Sequence, residues 1–348
     1  MDFFENLYKQ VGIDLGTANS LIYVKGRGIM INEPTVVALN NRTNQILTVG
    51  NEAKKMVDRM PAHIDIIYPL IAGVISDFEM TEELLRYFLG KIKGQSVFSR
   101  YRLAAISVPT NLTEVEMKSA EDAVLSAGVG RALLVEEPIA SAIGARLPVE
   151  EATANMIVDI GGGTTEISII SVGGTVISKS LKVAGHKLNA DIIRFVKDEF
   201  KLLIGTPTAE ELKIAIGSAV PIDDKLELAI RGRDIATGLP REVVVKNLHI
   251  RTAIQRSLKS VVEAVKILIE EAPPELVGDI LKSGIYLSGG GSLLRGLDSY
   301  IEKEITVKTT VVDDPLTCVA RGLGVIVENL AKYEPILSNQ HKPKPINA

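Results

Sequence analysis

The sequence predicts an α/β fold built from two similar halves that face each other across a cleft. Two observations carry this. A short signature (apolar strand, then Asp, an apolar residue, Gly and a hydroxyl residue) occurs twice, about half a chain apart. The copies are Val11-Gly12-Ile13-Asp14-Leu15-Gly16-Thr17 and Ile157-Val158-Asp159-Ile160-Gly161-Gly162-Gly163-Thr164-Thr165. After each copy the same order of elements follows: hairpin strands, then helices and a further strand. A third Gly turn, Leu287-Ser288-Gly289-Gly290-Gly291-Ser292, comes late in the chain.

Taken in order, residues 11–16, 19–24 and 34–39 run apolar or alternate and read as strands, with Gly26-Arg27-Gly28 as a turn. Residues 52–59 and 81–93 have helical spacing, and Thr81-Glu82-Glu83 reads as a helix start with acids at the positive end of the dipole. Residues 103–109 form a buried strand stopped by Pro109. Residues 113–127 follow as a helix, with Thr113 as cap, Glu116 three positions on and Gly128 as terminator. A short strand at 133–135 leads to a helix with Pro138 in its first turn, running to about Ala145.

The pattern then restarts. Strands are predicted at 155–160, 166–172 and 175–183, with Gly173-Gly174 as the hairpin turn. Helices follow at 189–201 and at 208–217, the latter with Thr208 as cap and Glu211 three positions on. Strand-like segments at 225–231 and 241–246 flank a turn. A long amphipathic helix at 250–271 is closed by Pro273-Pro274, and a strand at 284–288 leads into the third Gly turn. The Pro- and Lys-rich end of the chain reads as a disordered tail.

Composition narrows the function classes. The chain has 348 residues, 46% of them hydrophobic, enough for one large or two medium cores. Its formal net charge is −4, and only 4% of residues are aromatic, with no Trp. That leaves neither a global basic field nor base-stacking platforms, so nucleic acid is not expected as a partner. The single Cys318 excludes a disulfide framework within the chain and reads as a small buried hydrophobe. No secretory leader or membrane-spanning apolar run is expected, so the chain reads as soluble or peripheral. His63, His186, His249 and His341 are scattered and read as having no catalytic part.

Chemically, glycines let the backbone approach a phosphate so that several N–H groups point at it. Thr17 and Thr164 add hydroxyl donors, and Asn19 an amide. Asp14 and Asp159 would repel a phosphate directly; their sensible role is to hold a hydrated Mg²⁺, which takes few carboxylates. Two such loops, one per half, would clamp a nucleotide's β- and γ-phosphates from opposite sides. Val135-Glu136-Glu137-Pro138 places two carboxylates at a strand-to-helix corner. One could orient an attacking water; a pair of first-turn acids favouring the helix dipole explains the spacing equally well. Gly289, Gly290 and Gly291 suit close approach of a flat base or ribose. Glu210 and Lys213 share a helix face, where a surface ion pair is the plainer explanation. Neither a Gly-x-x-x-x-Gly-Lys-[Ser/Thr] loop nor a Gly-x-Gly-x-x-Gly helix opening occurs.

Together these residues resemble the actin, sugar-kinase and heat-shock ATPase superfamily, and within it the MreB family of bacterial actins. The resemblance covers about residues 10–330. It rests on Gly-Ile-Asp-Leu-Gly-Thr-Ala-Asn (12–19), Val-Pro-Thr-Asn-Leu-Thr-Glu-Val-Glu (108–116), Glu-Glu-Pro-Ile-Ala-Ser-Ala-Ile-Gly-Ala (136–145) and Val-Asp-Ile-Gly-Gly-Gly-Thr-Thr-Glu (158–166). The narrower signatures are Leu-Ser-Gly-Gly-Gly-Ser-Leu-Leu-Arg-Gly-Leu-Asp (287–298) and Asp-Pro-Leu-Thr-Cys-Val-Ala-Arg-Gly (314–322).

The resemblance implies an actin-like fold: domain IA at 1–31 and 69–147, outer subdomain IB at 32–68, domain IIA at 148–181 and 246–333, outer subdomain IIB at 182–245, and a flexible tail at 334–348. It implies ATP with Mg²⁺ in the cleft. The match places the water-orienting role on Glu137, assisted by Thr164. ATP contacts fall on Gly16, Thr17, Ala18 and Asn19, on Gly161, Gly162 and Gly163, on Glu210, Glu211, Leu212 and Lys213, and on Gly289, Gly290, Gly291 and Ser292. Asp14 and Asp159 would face the metal through water. It also implies paired filaments on the inner face of the cytoplasmic membrane, which organise wall synthesis and rod shape together with wall-synthesis and membrane scaffold proteins. One departure is Ala184-Gly185-His186-Lys187, where related chains usually carry Gly-Gly and an acid.

Other members of the superfamily fit less well. A chaperone ATPase carries a long substrate-binding domain after the core, and here about 20 Pro/Lys-rich residues follow Gly324. A small-molecule kinase needs a base aimed at a substrate hydroxyl and a sugar pocket, for which no motif is present. A polymerising cell-division relative would replace an outer subdomain, whereas 32–68 fits the ordinary small one.

Two segments are candidates for membrane contact. Phe3, Phe4 and Leu7 fall on one face of a short N-terminal helix, although Asp2 and Glu5 oppose anionic lipid. Val97-Phe98 forms an apolar tip between Lys91, Lys93, Arg100 and Arg102, each cation contributing roughly 1 kcal/mol near an anionic surface. Phe98→Asp is therefore expected to weaken co-sedimentation with anionic liposomes while leaving ATP binding unchanged; equal liposome binding by variant and parent would sink the assignment.

Overall fold

The computed structural model describes residues 8–93, 100–222 and 225–337. The first half opens with β1 (Tyr8–Leu15), β2 (Asn19–Val24) and β3 (Gly28–Pro34), an antiparallel meander. A small sheet follows, made of β4 (Val37–Asn40), β5 (Gln45–Val49) and β6 (Ile64–Ile67), with α1 (Asn51–Met56) between its last two strands. After the short pair β7 (Leu70–Ile71) and β8 (Val74–Ile75) come α2 (Phe78–Lys93), β9 (Arg100–Val108), α3 (Glu114–Ser126), β10 (Ala132–Glu136) and α4 (Glu137–Gly144). β9 pairs parallel with β1, and β10 parallel with β9, giving a five-stranded sheet in the order β10-β9-β1-β2-β3.

The second half repeats this plan. β11 (Asn155–Ile160), β12 (Thr165–Ser171) and β13 (Gly174–Leu181) form the meander. Then come α5 (Gly185–Phe200), β14 (Leu202–Leu203), α6 (Thr206–Ile216), β15 (Glu227–Asp234) and β16 (Pro240–Lys246), with β14, β15 and β16 making the second small sheet. α7 (Asn247–Glu271), α8 (Pro274–Ser283), β17 (Ile285–Ser288), α9 (Leu297–Ile305), β18 (Thr309–Val311), α10 (Cys318–Glu328) and α11 (Leu330–Leu337) complete the chain. β17 and β18 join in parallel, so the sheet reads β13-β12-β11-β17-β18, the same order as the first. The duplicated α/β architecture expected from the sequence is present.

Local chemistry explains most element ends. Thr113 and Glu116 form the predicted reciprocal cap: the Thr113 side chain accepts from the Glu116 N–H, and Glu116 Oε2 accepts from the Thr113 N–H at 2.8 Å. Other boundaries differ from expectation. The strand predicted at 34–39 is two strands, because the chain turns at Pro34 and passes into the small sheet. α2 starts at Phe78, since Asp77 accepts the Met80 N–H at 3.0 Å; Thr81 sits inside the helix and its hydroxyl donates to the Asp77 carbonyl. Thr208 is likewise internal: α6 begins after Gly205 with Pro207 in its first turn. The β12–β13 turn is Val172-Gly173, both at positive φ (51° and 74°), and Gly174 already belongs to β13. The expected tail from 334 is helical as far as Leu337, whose side chain is buried, and Glu334 pairs with Arg131.

Each half has its own core, around Ile13, Ile22, Phe88 and Ile106 in the first and around Val158, Ile169, Ile192 and Val265 in the second. A third cluster is shared: Leu103, Val135 and Ile139 pack with Ile157 and Ile170 and with Leu323 and Ile326 of α10. α10 thus returns from the second half to lie on β1, β2 and β9 of the first. It can do so because Gly12 has no side chain; a Cβ there would lie 2.7 Å from Leu323 Cβ. α4 crosses α10 at a pair of glycines. A Cβ at Gly144 would overlap the Cys318 carbonyl oxygen, and one at Gly322 the Ala140 carbonyl oxygen. Backbone is the obstacle in both cases, so no rotamer change relieves the clash. Gly322→Ala is expected to cost about 3 kcal/mol and to lower the melting temperature markedly in a thermal scan, whereas Gly278→Ala, with open space around it, should be neutral or stabilising.

Candidate functional site at the cleft between the two halves

The two signature loops meet. Gly162 lies against Ala18, and Gly163 is so close to Thr17 that a Cβ would sit 2.7 Å from Thr17 Oγ1. Loop 16–19 is shaped by residues far away in sequence. The Thr35 hydroxyl donates to the Gly16 carbonyl at 2.7 Å, the Thr35 N–H donates to the Ala18 carbonyl, and Thr17 Oγ1 accepts the Gly73 N–H at 2.7 Å. Loop 161–164 is closed by the Gly161 N–H donating to the Thr164 carbonyl, at 2.9 Å. The first turn of α5 supports it from outside: the Gly185 and His186 N–H groups donate to the carbonyls of Gly161 and Gly162 at 3.1 and 2.8 Å. The Ala184-Gly185-His186-Lys187 departure thus keeps its backbone contact with the loop.

Asp14 and Asp159 are the last residues but one of β1 and β11, and each is held by a serine from the parallel neighbour strand. Ser107 Oγ donates to Asp14 Oδ1 at 3.1 Å, and Ser288 Oγ donates to Asp159 Oδ2 at 2.7 Å. Ser141 of α4 adds to the second group, 3.0 Å from Asp159 Oδ2 and 2.7 Å from Ser288 Oγ. Glu137, the first residue of α4, completes the cluster together with Glu166 of β12. Both Asp14 and Glu137 keep part of their surface open to the cleft.

Concentrating carboxylates here raises their proton affinity. Burial first, then the facing Asp159, push Asp14 from 3.8 up to about 7, against the Ser107 bond, which pulls it down. Burial holds Glu137 well above the usual carboxylate range, with Glu166, Asp14 and Asp159 adding to it in that order. Asp159 and Glu166 are also raised by burial, and their serine and threonine hydrogen bonds offset part of it. Such a cluster attracts a cation. Among the described residues no three His, Cys, Asp or Glu side chains converge as direct metal ligands.

The remaining predicted residues divide. Lys213 Nζ donates to the Gly185 carbonyl at 3.2 Å, beside Glu210, and burial lowers its proton affinity. Glu211 is exposed, and the Leu212 side chain lies in the core of the second half. Gly289 (φ 76°) and Gly291 pack on Ile160, where a Cβ would overlap it, and Gly290 faces Leu316. These glycines therefore have a packing reason of their own. The Ser292 hydroxyl turns back to the Gly289 carbonyl at 2.7 Å. Cys318 is buried, and its thiol donates to the Ser141 carbonyl at 3.1 Å. The membrane candidates Phe3, Phe4, Leu7, Val97 and Phe98 lie outside the described residues. No helix among the described residues is long and apolar enough to cross a membrane. Sequence reasoning gave no role to Thr35, Gly73, Ser107, Ser141 or Glu166; Ser141 and Glu166 lie within the signature phrases and Ser107 directly before one, Thr35 and Gly73 lie outside them, and none is marked by spacing.

Two five-stranded sheets of identical order, joined at a cleft where two Asp-Gly-Thr loops meet, define the actin-like class. The chain belongs to the MreB/Mbl family, whose model matches residues 8–335. It is 45% identical to the cell shape-determining protein Mbl of Bacillus subtilis over 324 residues, 93% of this chain and 97% of that one. It is 44% identical to the cell shape-determining protein MreB of Escherichia coli K12 over 322 residues, 91% and 93% of the two chains. The crystal structure of MreB5 of Spiroplasma citri bound to ADP superposes with a TM-score of 0.90 at 35% identity, covering 94% of this chain and 98% of that one. Fold and family together make this a bacterial actin, a cytoskeletal protein of the cell-shape class.

The raised Asp14 carboxyl has a stability consequence. The folded state keeps a proton up to about pH 7, and the unfolded chain releases it near pH 4. Stability therefore falls as pH rises through this window. Removing the charge with Asp14→Asn is expected to stabilise the ligand-free protein by about 1–2 kcal/mol at pH 7.5, allowing for screening on the open side of the cleft, and to flatten the decline in melting temperature between pH 5 and 7.5. A variant that melts lower than the parent at pH 7.5 would contradict it.

Proposed function

We propose that the chain is a filament-forming, membrane-associated cytoskeletal ATPase that binds Mg·ATP between its two halves, hydrolyses it on assembly and organises wall synthesis to maintain rod shape. The observation that carries the nucleotide reading is the direct apposition of the two loops, Gly162 on Ala18 and Gly163 on Thr17, with Asp14 and Asp159 beneath them. One relative of the same fold at 35% identity, MreB5 of Spiroplasma citri, is described bound to ADP and to AMPPNP, which supports it. Self-assembly, and placement on the inner membrane face beside wall-synthesis and scaffold proteins, are inferred from family membership.

The residues suit the ligand. N–H groups of 16–19 and 162–164 are the phosphate donors, with the Thr17 and Thr164 hydroxyls beside them; the Gly161 N–H is taken by the Thr164 carbonyl. Lys213, Glu210 and the 289–292 turn flank the nucleoside end. Asp14 and Asp159, with raised proton affinities and too few direct ligands for a closed metal site, fit a cation that retains its waters. The cation would neutralise phosphate charge and relieve the mutual repulsion of the carboxylates. Glu137, held at the start of α4 and partly open to the cleft, is placed to accept a proton from an attacking water, with Thr164 orienting it. The segments 32–68 and 182–245, which carry the small sheets, form the outer lips; Asp58 already touches Gly205 across them, its Oδ2 lying 2.5 Å from where a Cβ would be.

Glu137→Ala separates binding from chemistry. It is expected to bind ATP as the parent does and still to sediment as filaments, while phosphate release on assembly falls about 10²–10⁴-fold. Full turnover by this variant would overturn the assignment of Glu137.

A further inference from the structure

The two halves match strand for strand, and one departure stands out at the cleft. Asp14 on β1 has Leu21 directly opposite it on β2. Asp159, its counterpart on β11, has Glu166 directly opposite it on β12. Directly paired residues of an antiparallel ladder share a face, and like charges there are destabilising. Glu166 is moreover 1% exposed, so its charge is not carried by water. An acid kept in such a place calls for a reason beyond packing, since the first half packs Leu21 at the same position.

The partners of Glu166 supply one. Its Oε1 accepts from the hydroxyl of Ser180, the residue opposite it on β13, at 2.5 Å. Its Oε2 accepts from the hydroxyl of Thr110 at 2.7 Å. Ser180 belongs to the second half, while Thr110 follows β9 in the first, so the carboxylate bridges the two halves. Neighbouring bonds cross at the same level: Asn111 Nδ2 donates to Ser178 Oγ at 3.3 Å, and the Thr175 hydroxyl donates to Glu136 Oε2 at 2.6 Å. Glu136 is thus committed to the bridge, leaving Glu137 for the cleft. Among the charged groups acting on Glu137, Glu166 is the foremost.

We propose that Glu166 is a positioning residue for hydrolysis: strapped between Thr110 and Ser180, it fixes the charge that acts on the Glu137 carboxyl only when the two halves are closed as seen here. Rotation of one half against the other strains these contacts, because Thr110 ties the Glu166 carboxylate to the first half through its hydroxyl and its backbone N–H. A relaxed subunit then holds ATP without that charge fixed in place, and assembly that closes the cleft restores it. The inference rests on the assignment of Glu137 above.

The test uses the full chain, Mg·ATP, and three readouts: ATP affinity, sedimented polymer and phosphate release. Glu166→Gln keeps the shape and removes the charge. It is expected to leave affinity and polymer mass unchanged and to cut release about tenfold or more. Thr110→Val removes the hydroxyl bond to Glu166 and leaves the other bonds between the halves in place, and is expected to cut release by a few-fold, again with affinity unchanged. A purely structural role would lower affinity and melting temperature together with release. Parental release by Glu166→Gln, or a loss of affinity that tracks the loss of release in both variants, overturns the proposal. The Glu137→Ala result distinguishes the two failures: a silent Glu166→Gln beside an inactive Glu137→Ala sinks this inference alone, and an active Glu137→Ala sinks the reading of the site and this inference with it.

Discussion

Helix 137–144 is the part on which the rest of this molecule depends. Its first residue, Glu137, faces the cleft, and one turn on Ser141 reaches Asp159 and Ser288 of the second half. Its last residue, Gly144, lets it touch helix 318–328 backbone to backbone, with Gly322 making the reciprocal contact. That second helix is the segment by which the chain returns to the first sheet. Two helices in atomic contact through glycine have little freedom to slide, because any displacement loses close dispersion contacts or drives carbonyls into Cα atoms. The relative position of the loops at 16–19 and 161–164 is therefore set at this crossing, well below the loops themselves.

The same architecture carries an electrostatic cost. Asp14, Glu137, Asp159 and Glu166 lie together in a site that burial makes hostile to charge. Hydroxyl donors from Ser107, Ser141, Ser288, Thr110 and Ser180 offset part of it, without bringing an opposite charge. A protein selected only for stability would not keep this arrangement; apolar replacements of similar size are commonly neutral or better. Its retention makes sense if the missing positive charge arrives with a ligand, which then contributes to holding the halves closed.

How much was legible in advance follows physical lines. The repeated Asp-Gly-Thr signature and the strand periods are local, so the duplicated fold and the identity of both loops could be read directly. The reciprocal cap at Thr113 and Glu116 was equally plain, because both partners lie within one helical turn. The same pattern misled at Thr208, which has Glu211 three positions on although the helix opens at Gly205, and Asp77 opens the helix that Thr81 had suggested. The turn at Val172-Gly173 puts a β-branched residue at positive φ, against its steric preference, and the meander on either side dictates it. The 289–291 glycines looked like a ligand cradle, and packing on Ile160 already requires two of them.

By itself, the sequence determined that two like halves exist, which residues tip their first strands and that the chain belongs among the actin-like proteins, because each of these is written in short contiguous patterns. Tertiary structure alone decided which hydroxyls hold the two aspartates, that Gly12 serves the helix above it rather than the loop beside it, and that Glu166 is strapped across both halves while its counterpart is Leu21. Most of those outcomes join residues far apart in the chain, 56 positions for Thr110 and Glu166, 129 for Asp159 and Ser288 and more still for Gly12 and Leu323, and no local period encodes a meeting between segments that the fold brings together only when both sheets and the glycine crossing are in place.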